Sequence, residues 1–130
     1  MLCPERSRGF TLLELLVVLA LMALATGIAA PRAVAWLDAA QERGWRDDLR
    51  AYLEALPVRS FLAGEGRTLE AAEVLKAVPG APAGVEIHLP KALNYSAQGV
   101  ASGGVVEIRR GQYKEIWRIE SLTGHVREGS

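Results

Sequence analysis

A single acidic residue interrupts the most apolar stretch of this sequence. Glu14 is the only charged residue in 10–31, a run of about 22 residues that would be about 33 Å long as a helix. That length matches the hydrocarbon core of a bilayer. An acid costs about 2.5–3.5 kcal/mol at the bilayer centre and less near an edge, so it is usually functional there. Because a buried charge needs a partner, the chemistry open to Glu14 is the binding of a cation.

The other chemically reactive residues do not form a catalytic or metal-binding set. His88 and His125 are the only histidines and are not spaced as a metal pair, and Cys3 is the only cysteine. The sequence has no GxSxG, Walker A or HExxH motif. We therefore predict a protein that is not an enzyme and that holds no metal and no cofactor. His88 lies at a polar position of an alternating segment, and we expect it to face solvent.

Composition indicates one small domain with an apolar appendage. The chain has 130 residues, of which 50% are hydrophobic but only 6% aromatic, and much of the apolar content lies in the N-terminal run. Lys and Arg together number 15, as do Asp and Glu, and no block of one sign appears. A nucleic-acid-binding protein normally carries a basic patch, so we expect no nucleic-acid partner.

Three interpretations of the apolar run compete. A buried core helix is disfavoured, because the remaining residues are too few to surround it. A secretory signal peptide is a serious alternative, since residues 33–35 (Ala-Val-Ala) form a small-x-small cleavage site before Trp36. A retained membrane helix is favoured by Glu14, because cleavable signals rarely carry an acid at their cytoplasmic end. The run is also longer than the usual apolar region of a signal peptide, about 7–15 residues.

Residues 8–18, RGFTLLELLVV, resemble the class III signal of type IV prepilins and pseudopilins. Residue types and spacing agree with the family pattern without a gap. The resemblance implies that a prepilin peptidase cuts between Gly9 and Phe10 on the cytoplasmic side and methylates the new N-terminal Phe10. The apolar helix would then be kept. Gly9 suits a narrow protease cleft because it has no side chain.

The resemblance also implies a role for Glu14 in subunit assembly. In the family this carboxylate pairs with the N-terminal amine of a neighbouring subunit, and one such pair per subunit can fix the register of an apolar bundle. Glu14 follows Phe10 by four positions and shares its helical face. The alternative is that Glu14 only extends its carboxylate to the membrane surface.

Two residues are expected to kink the helix near its outer end. Gly27 loosens the helix, and Pro31 removes a backbone donor. The kink would be either a simple break at the membrane interface or a hinge that is used when the subunit packs into a filament.

An amphipathic helix is predicted to continue over 32–56, weakened at Gly44 and ended by Pro57. Seven apolar residues fall close to one face: Val34, Leu37, Trp45, Leu49, Tyr52, Leu53 and Leu56. Three pairs of opposite charge are four positions apart: Glu42 with Arg46, Arg43 with Asp47, and Arg50 with Glu54. We expect the apolar stripe to cover a sheet.

The C-terminal half is predicted to contain a short helix and several strands. Thr68 is expected to cap a helix over 69–78, before a region rich in Pro and Gly. The predicted strands are 85–89, 93–96, 105–109, 113–120 and 125–127. Short spacings and Gly-rich turns favour one small antiparallel sheet. The predicted class is α+β, and the resemblance implies the type IV pilin-like fold, in which a long N-terminal helix packs on the sheet.

The order of turns and strands in this half resembles the H-type minor pseudopilin of type II secretion systems and related minor pilins. The segments that carry this resemblance are 94–99, 102–106, 116–119 and 122–127. The major pseudopilin carries an acidic calcium-binding loop, which this sequence lacks, so we expect no calcium site. The predicted divisions are a prepilin leader peptide at 1–9, a transmembrane and filament-core helix at 10–31, and a periplasmic pseudopilin domain at 32–130.

The resemblance implies a minor pseudopilin, a structural subunit of the type II secretion pseudopilus that helps to initiate or cap the filament driving protein export across the outer membrane. The chain would cross the bacterial inner membrane once, with a cytoplasmic N-terminus and a periplasmic C-terminal domain. Its partners would be other major and minor pseudopilins, the prepilin peptidase, the inner-membrane secretion platform and inner-membrane lipid. The alternatives are a minor pilin of a type IV pilus or DNA-uptake machine, and a soluble periplasmic domain released by signal peptidase.

Overall fold

The computed structural model describes residues 9–129, and the predicted leader residues 1–8 lie outside the described part. The chain divides into two compact units, one ending at Ala39 and the other beginning at Ala40. The elements in chain order are α1 (Leu12–Ala63), β1 (Arg67–Leu69), α2 (Ala71–Ala77), β2 (Val85–His88), β3 (Leu93–Tyr95), β4 (Gly104–Arg110), β5 (Tyr113–Ile119) and β6 (Val126–Gly129). The predicted α+β class, with a long N-terminal helix and antiparallel strands, is therefore confirmed.

Helix α1 has 52 residues and contains almost the whole apolar run. Leu and Ala, which favour helix, dominate its first half. The side chains of 12–38, in the first unit, are exposed. The chain remains helical through Gly27 and Pro31, so the kink expected there stays a prediction.

The apolar stripe of α1 is buried only from Trp45 onward. Trp45, Leu49, Leu53 and Leu56 recur at three- and four-residue steps and therefore lie on one face. They join a single core cluster with buried strand residues, chiefly Val106, Ile108, Trp117, Ile119 and Val126. The prediction that Val34 and Leu37 belong to this stripe is wrong. Both lie in the first unit and are exposed by 58% and 52%.

The prediction that α1 ends at Pro57 is also wrong, because the helix continues to Ala63. A proline inside a helix removes one backbone hydrogen bond and costs about 3 kcal/mol. Pro57 is buried, and two glycines leave room for it. A Cβ atom at Gly99 would lie 3.1 Å from the Pro57 carbonyl oxygen, and one at Gly124 would lie 2.6 Å from the Pro57 Cγ atom. Close packing of this proline in the core offsets the lost hydrogen bond.

The structure has two antiparallel sheets where the sequence predicts one. The strands β2, β4, β5 and β6 form a four-stranded sheet in that order, and β1 pairs with β3 in a separate two-stranded sheet. In the central hairpin, Gly104 faces Ile119 and Arg110 faces Tyr113. All five predicted strands are present near their expected positions, and β1 is additional.

Thr68 does not cap a helix, contrary to prediction. It lies in β1 opposite Asn94, and its hydroxyl donates a hydrogen bond to the Asn94 Oδ1 atom at 2.7 Å. Strand pairing with a segment far along the chain holds Thr68 in extended backbone. Helix α2 therefore begins only at Ala71, with Glu70 as its cap residue and no side-chain capping bond.

Two charged side chains of α1 reach the four-stranded sheet instead of each other. Arg46 pairs with Glu115 on β5, and Glu42 accepts a hydrogen bond from Arg110 Nη1 at 3.1 Å. The side chain of Glu115 is only 9% exposed, and it also accepts a hydrogen bond from Trp117 Nε1 at 2.8 Å. The Arg46 guanidinium lies 5.9 Å from the centre of the Trp117 ring. The buried carboxylate thus has a charged partner and a hydrogen-bond donor, both at Oε1, as a charge in a core requires.

The opposite face of the sheet places two cations directly across from each other. Arg109 on β4 faces Lys114 on β5, an arrangement that is unfavourable by itself. Glu107 bridges both, at 2.6 Å from Arg109 Nη2 and 2.9 Å from Lys114 Nζ. The hydrogen bonds from Lys114 and Arg109 hold the pKa of Glu107 below its ordinary value.

Gly124→Ala should destabilise the second unit by about 2–4 kcal/mol, because the new Cβ atom meets the Pro57 ring and the backbone φ of +71° disfavours a side chain. The matched control is Gly111→Ala, which has a φ of +59° but meets no described atom within 4 Å and should cost about 1 kcal/mol. Thermal unfolding of the full-length protein in detergent, followed by tryptophan fluorescence, measures both. Equal losses of stability in Gly124→Ala and Gly111→Ala would show that the close approach of Gly124 to the Pro57 ring does not matter for stability.

Tyr95→Phe should stabilise the protein by about 1 kcal/mol at neutral pH, because the buried Tyr95 hydroxyl has no hydrogen-bond partner among the described residues. Burial, with a smaller contribution from Tyr52, raises the pKa of Tyr95 from 10.0 to about 12. As the pH rises, the Tyr95 hydroxyl therefore loses its proton in the unfolded chain before it does so in the folded chain. This difference lowers the free energy of unfolding of the wild type by about 2 kcal/mol between pH 10 and pH 12. The variant should lack that loss.

Denaturant unfolding at pH 7 and across pH 10–12 checks both parts of the Tyr95 prediction. Tyr113→Phe is the control, since Tyr113 is 63% exposed. A Tyr95→Phe variant with the alkaline profile of the wild type would show that the hydroxyl is not the titrating group.

Candidate functional site

The predicted cleavage site lies in an exposed segment immediately before α1. Gly9 and Phe10 are both outside the helix, and Phe10 is 87% exposed. Exposed backbone of this kind is accessible to a peptidase without the unwinding of a helix. A Cβ atom at Gly9 would meet no described atom within 4 Å, so packing within the chain does not require glycine there. A requirement for glycine would have to come from an external partner.

Thr11 and Glu14 form a reciprocal cap at the start of α1. The Glu14 backbone N–H donates to Thr11 Oγ1 at 3.2 Å, and the Thr11 backbone N–H donates to Glu14 Oε2 at 3.2 Å. This is the capping box, in which two backbone donors that the helix leaves unpaired are satisfied by side chains. Our sequence reasoning missed it, although the pattern Thr-Leu-Leu-Glu directly before an apolar run is its signature.

The cap holds the Glu14 carboxylate but leaves one of its oxygens open to a partner. Oε2 accepts the hydrogen bond from Thr11, whereas Oε1 makes no hydrogen bond within residues 9–129. The positive end of the helix dipole also favours an anion at this position. The arrangement can therefore bind a cation through Oε1 while the helix cap stays intact.

Comparison with protein families decides what this segment is. Residues 5–30 match the family described as the prokaryotic N-terminal methylation motif. The chain carries the class III signal of type IV pilin-like proteins. No curated protein and no solved structure is significantly similar to the chain. The pilin-like assignment thus rests on the N-terminal segment, and the pseudopilin subtype stays a prediction.

Helix α1 is the candidate membrane anchor of the chain. Among residues 9–129 it is the one helix that is long and apolar enough to cross a membrane. None of its most apolar window is buried within the chain. Together with the class III signal, this helix indicates a membrane-anchored chain of the type IV pilin-like kind that crosses the membrane once.

The two predicted kink residues lie on the exposed part of the anchor. A Cβ atom at Gly27 would meet no described atom within 4 Å, and Pro31 is exposed. Close to them, Ala25, Ala29 and Ala33 recur every four residues and line a shallow apolar groove with their neighbours. Small side chains at this spacing let another helix approach closely.

The histidines lie apart from this segment. His88 is exposed on β2, as expected from the alternating pattern. His125 Nδ1 lies 3.0 Å from Glu54 Oε1. Within the described residues the structure brings together no group of three or more His, Cys, Asp and Glu side chains that could hold a metal ion. The class III signal at residues 5–30 is typical of type IV pilin-like proteins, which are structural.

Thr11→Ala should weaken the first turn of α1 by about 1 kcal/mol, since it removes one bond of the capping box. Amide hydrogen exchange of the full-length protein in detergent should then be roughly fivefold faster in this turn. Thr26→Ala is the control, because Thr26 bonds to the Met22 carbonyl oxygen in the middle of the helix. Unchanged exchange in Thr11→Ala would show that the cap does not form in solution.

Proposed function

We propose that this pilin-like chain is a minor pseudopilin of a type II secretion system, a structural subunit that helps to initiate or cap a periplasmic filament. The single observation that carries the proposal is the N-terminal methylation motif, with Glu14 held in the capped first turn of an exposed apolar helix. The strand order after residue 92 supports the minor pseudopilin subtype, since the segments that resemble it coincide with β3 to β6 and their turns.

Processing would begin at the exposed segment before α1. The prepilin peptidase would cut between Gly9 and Phe10 on the cytoplasmic side and methylate the new terminus at Phe10. The helix would stay in the inner membrane, with the second unit in the periplasm. The exposure of Phe10 and the open space around Gly9 support this step, because neither residue is held by contacts within the described chain.

Assembly would use the charge on Glu14. Cleavage leaves a positive amine on Phe10, and an amine or a carboxylate in an apolar bundle is costly unless it is paired. The Glu14 Oε1 atom, which makes no hydrogen bond to residues 9–129, is available for the amine of a neighbouring subunit. Only a neighbour aligned at the right height can make this pair, so the pair would fix the register between subunits.

The proposed partners follow from the two halves of the chain. The N-terminal helix would contact inner-membrane lipid first and the helices of other major and minor pseudopilins after assembly. The inner-membrane secretion platform would drive the transfer of this helix from the lipid to the filament. The second unit, whose core is complete, would provide contacts from its surface.

A minor pilin of a type IV pilus or a DNA-uptake machine is the second candidate. The observation in its favour is the N-terminal methylation motif itself, which pilins and pseudopilins share. Deletion of the gene separates the two: a secretion defect supports the pseudopilin, whereas a defect in motility or DNA uptake supports the pilin.

The N-terminal mass of the membrane-extracted protein, co-expressed with its prepilin peptidase, tests the pathway directly. The expected terminus is Phe10 carrying one methyl group. Gly9→Val is the control and should remain uncut, because a branched side chain does not fit where glycine is required. A terminus at Trp36 would show ordinary secretion and would end the filament interpretation.

The same preparation tests the charge on Glu14. Glu14→Gln keeps a side chain that can complete the capping box but removes the charge. It should be cut and methylated normally, yet its recovery in the sheared filament fraction should fall about tenfold. Thr11→Ala keeps the charge and is the matched control. Wild-type recovery of Glu14→Gln would exclude the charge pair.

A further inference from the structure

The outer face of the four-stranded sheet, which points away from the core, carries a second pair of cations. Arg118 on β5 lies directly opposite Arg127 on β6. The next pair along these strands, Ile119 with Val126, is buried in the core. Because successive residues of a strand project to opposite faces, Arg118 and Arg127 project to the outer face, and both are exposed. Like charges directly across from each other destabilise a sheet.

The two cationic pairs of this face differ in how they are neutralised. One acid, Glu107, contacts both cations of the first pair. In the second pair, Arg127 has an acidic partner, because its Nε atom lies 2.6 Å from Glu120 Oε1. Arg118 takes part in no ion pair within residues 9–129. One positive charge of the outer face is therefore not compensated by the described part of the chain.

The neighbours of Arg118 do not call for a cation. Val105 lies opposite it on β4, and Ile116 precedes it by two positions on β5. Both side chains are half-buried and apolar. Arg118 thus adds like-charge repulsion to the sheet without an ion pair in return. Residues that lower the stability of a fold often serve a function, so this position is a candidate for contact with a partner.

We propose that this surface binds an acidic segment of another protein, with a carboxylate held between Arg118 and Arg127. We call the surface the outer-sheet patch; its members are Val105, Ile116, Arg118 and Arg127. Residues directly opposite on antiparallel strands have Cα atoms about 4.5–5.5 Å apart, so two guanidinium groups can converge on one carboxylate. The planar fork of arginine matches carboxylate oxygens in pairs of hydrogen bonds. The inference goes beyond the function proposed above and uses none of the residues of the processed terminus.

The surroundings of the outer-sheet patch favour a protein partner over nucleic acid. Glu107 faces Ile116, and Glu120 follows Arg118 by two positions, so acids interrupt the basic surface on both sides. A nucleic acid needs a continuous basic surface for its row of phosphates. The outward positions of β2, β4, β5 and β6 also carry no Phe, Tyr or Trp on which bases could stack. A protein segment needs one carboxylate and can cover the two apolar members as well.

Binding of an acidic peptide tests the proposal. The full-length protein in non-ionic detergent is titrated into fluorescein-labelled octaglutamate at low salt, and fluorescence anisotropy gives the Kd. Arg118→Gln should raise the Kd about tenfold, since it removes a charge-assisted contact. Arg43→Gln is the matched control, because Arg43 is exposed on α1 and also takes part in no ion pair within residues 9–129. It should change the Kd by less than about twofold.

The same titration with labelled single-stranded DNA identifies the class of partner. The expected result is that Arg118→Gln weakens the binding of octaglutamate and leaves any binding of DNA unchanged. DNA that binds as tightly as the peptide and is lost in Arg118→Gln would overturn the proposal in favour of a nucleic acid. No measurable binding of octaglutamate, or equal losses in the Arg118 and Arg43 variants, would also overturn it.

The melting temperature separates a binding role of Arg118 from a structural one. Without peptide, Arg118→Gln should melt at the wild-type temperature or above it, since the substitution removes like-charge repulsion. Saturating octaglutamate should raise the melting temperature of the wild type but not that of the variant, because a ligand stabilises only the folded state that binds it. A variant that melts below the wild type without peptide would show that Arg118 supports the fold, and the inference would fall.

Discussion

The rest of the structure depends on an apolar helix that its own chain does not cover. The second unit, from Ala40 onward, has its own core, while residues 12–38 of α1, in the first unit, are exposed. Apolar surface in water costs about 25 cal/mol per Å², so this helix requires lipid or other helices around it. In lipid, a continuous helix is also the form that satisfies every backbone donor and acceptor internally. The candidate membrane anchor and the proposed assembly use the same uncovered surface.

Glu14 shows how a charge can be kept in such a helix. The capping box gives one carboxylate oxygen a bond to Thr11 in the same chain, and the helix dipole favours the anion. The cost of the charge is thereby reduced before any neighbour arrives. The other oxygen is open, so an external cation adds to the local arrangement without displacing it. A residue that stabilises the start of its own helix can thus also bring specificity to a surface that is otherwise uniformly apolar.

In the second unit, the packing that keeps Pro57 inside α1 also builds the apolar surface at the end of that helix. Gly99 and Gly124 allow two loops to approach the proline closely, and the helix then extends beyond the core with Val58 and Phe61 exposed. Next to these loops, the backbone of Leu122 pairs with that of Ala101 and has a φ of +76°.

The sequence by itself determined the anchor, the methylation motif, the α+β class and the positions of most strands, because each depends on residue types and spacings that act over a few positions. Only the tertiary structure decided where α1 ends, that Thr68 pairs with Asn94 in a second sheet, and that Arg46 binds Glu115 instead of Glu42. These outcomes depend on contacts between residues that are far apart in the chain. The local preference of a proline, a threonine or a charge pair is worth about 3 kcal/mol or less, and burial against a distant partner outweighs it.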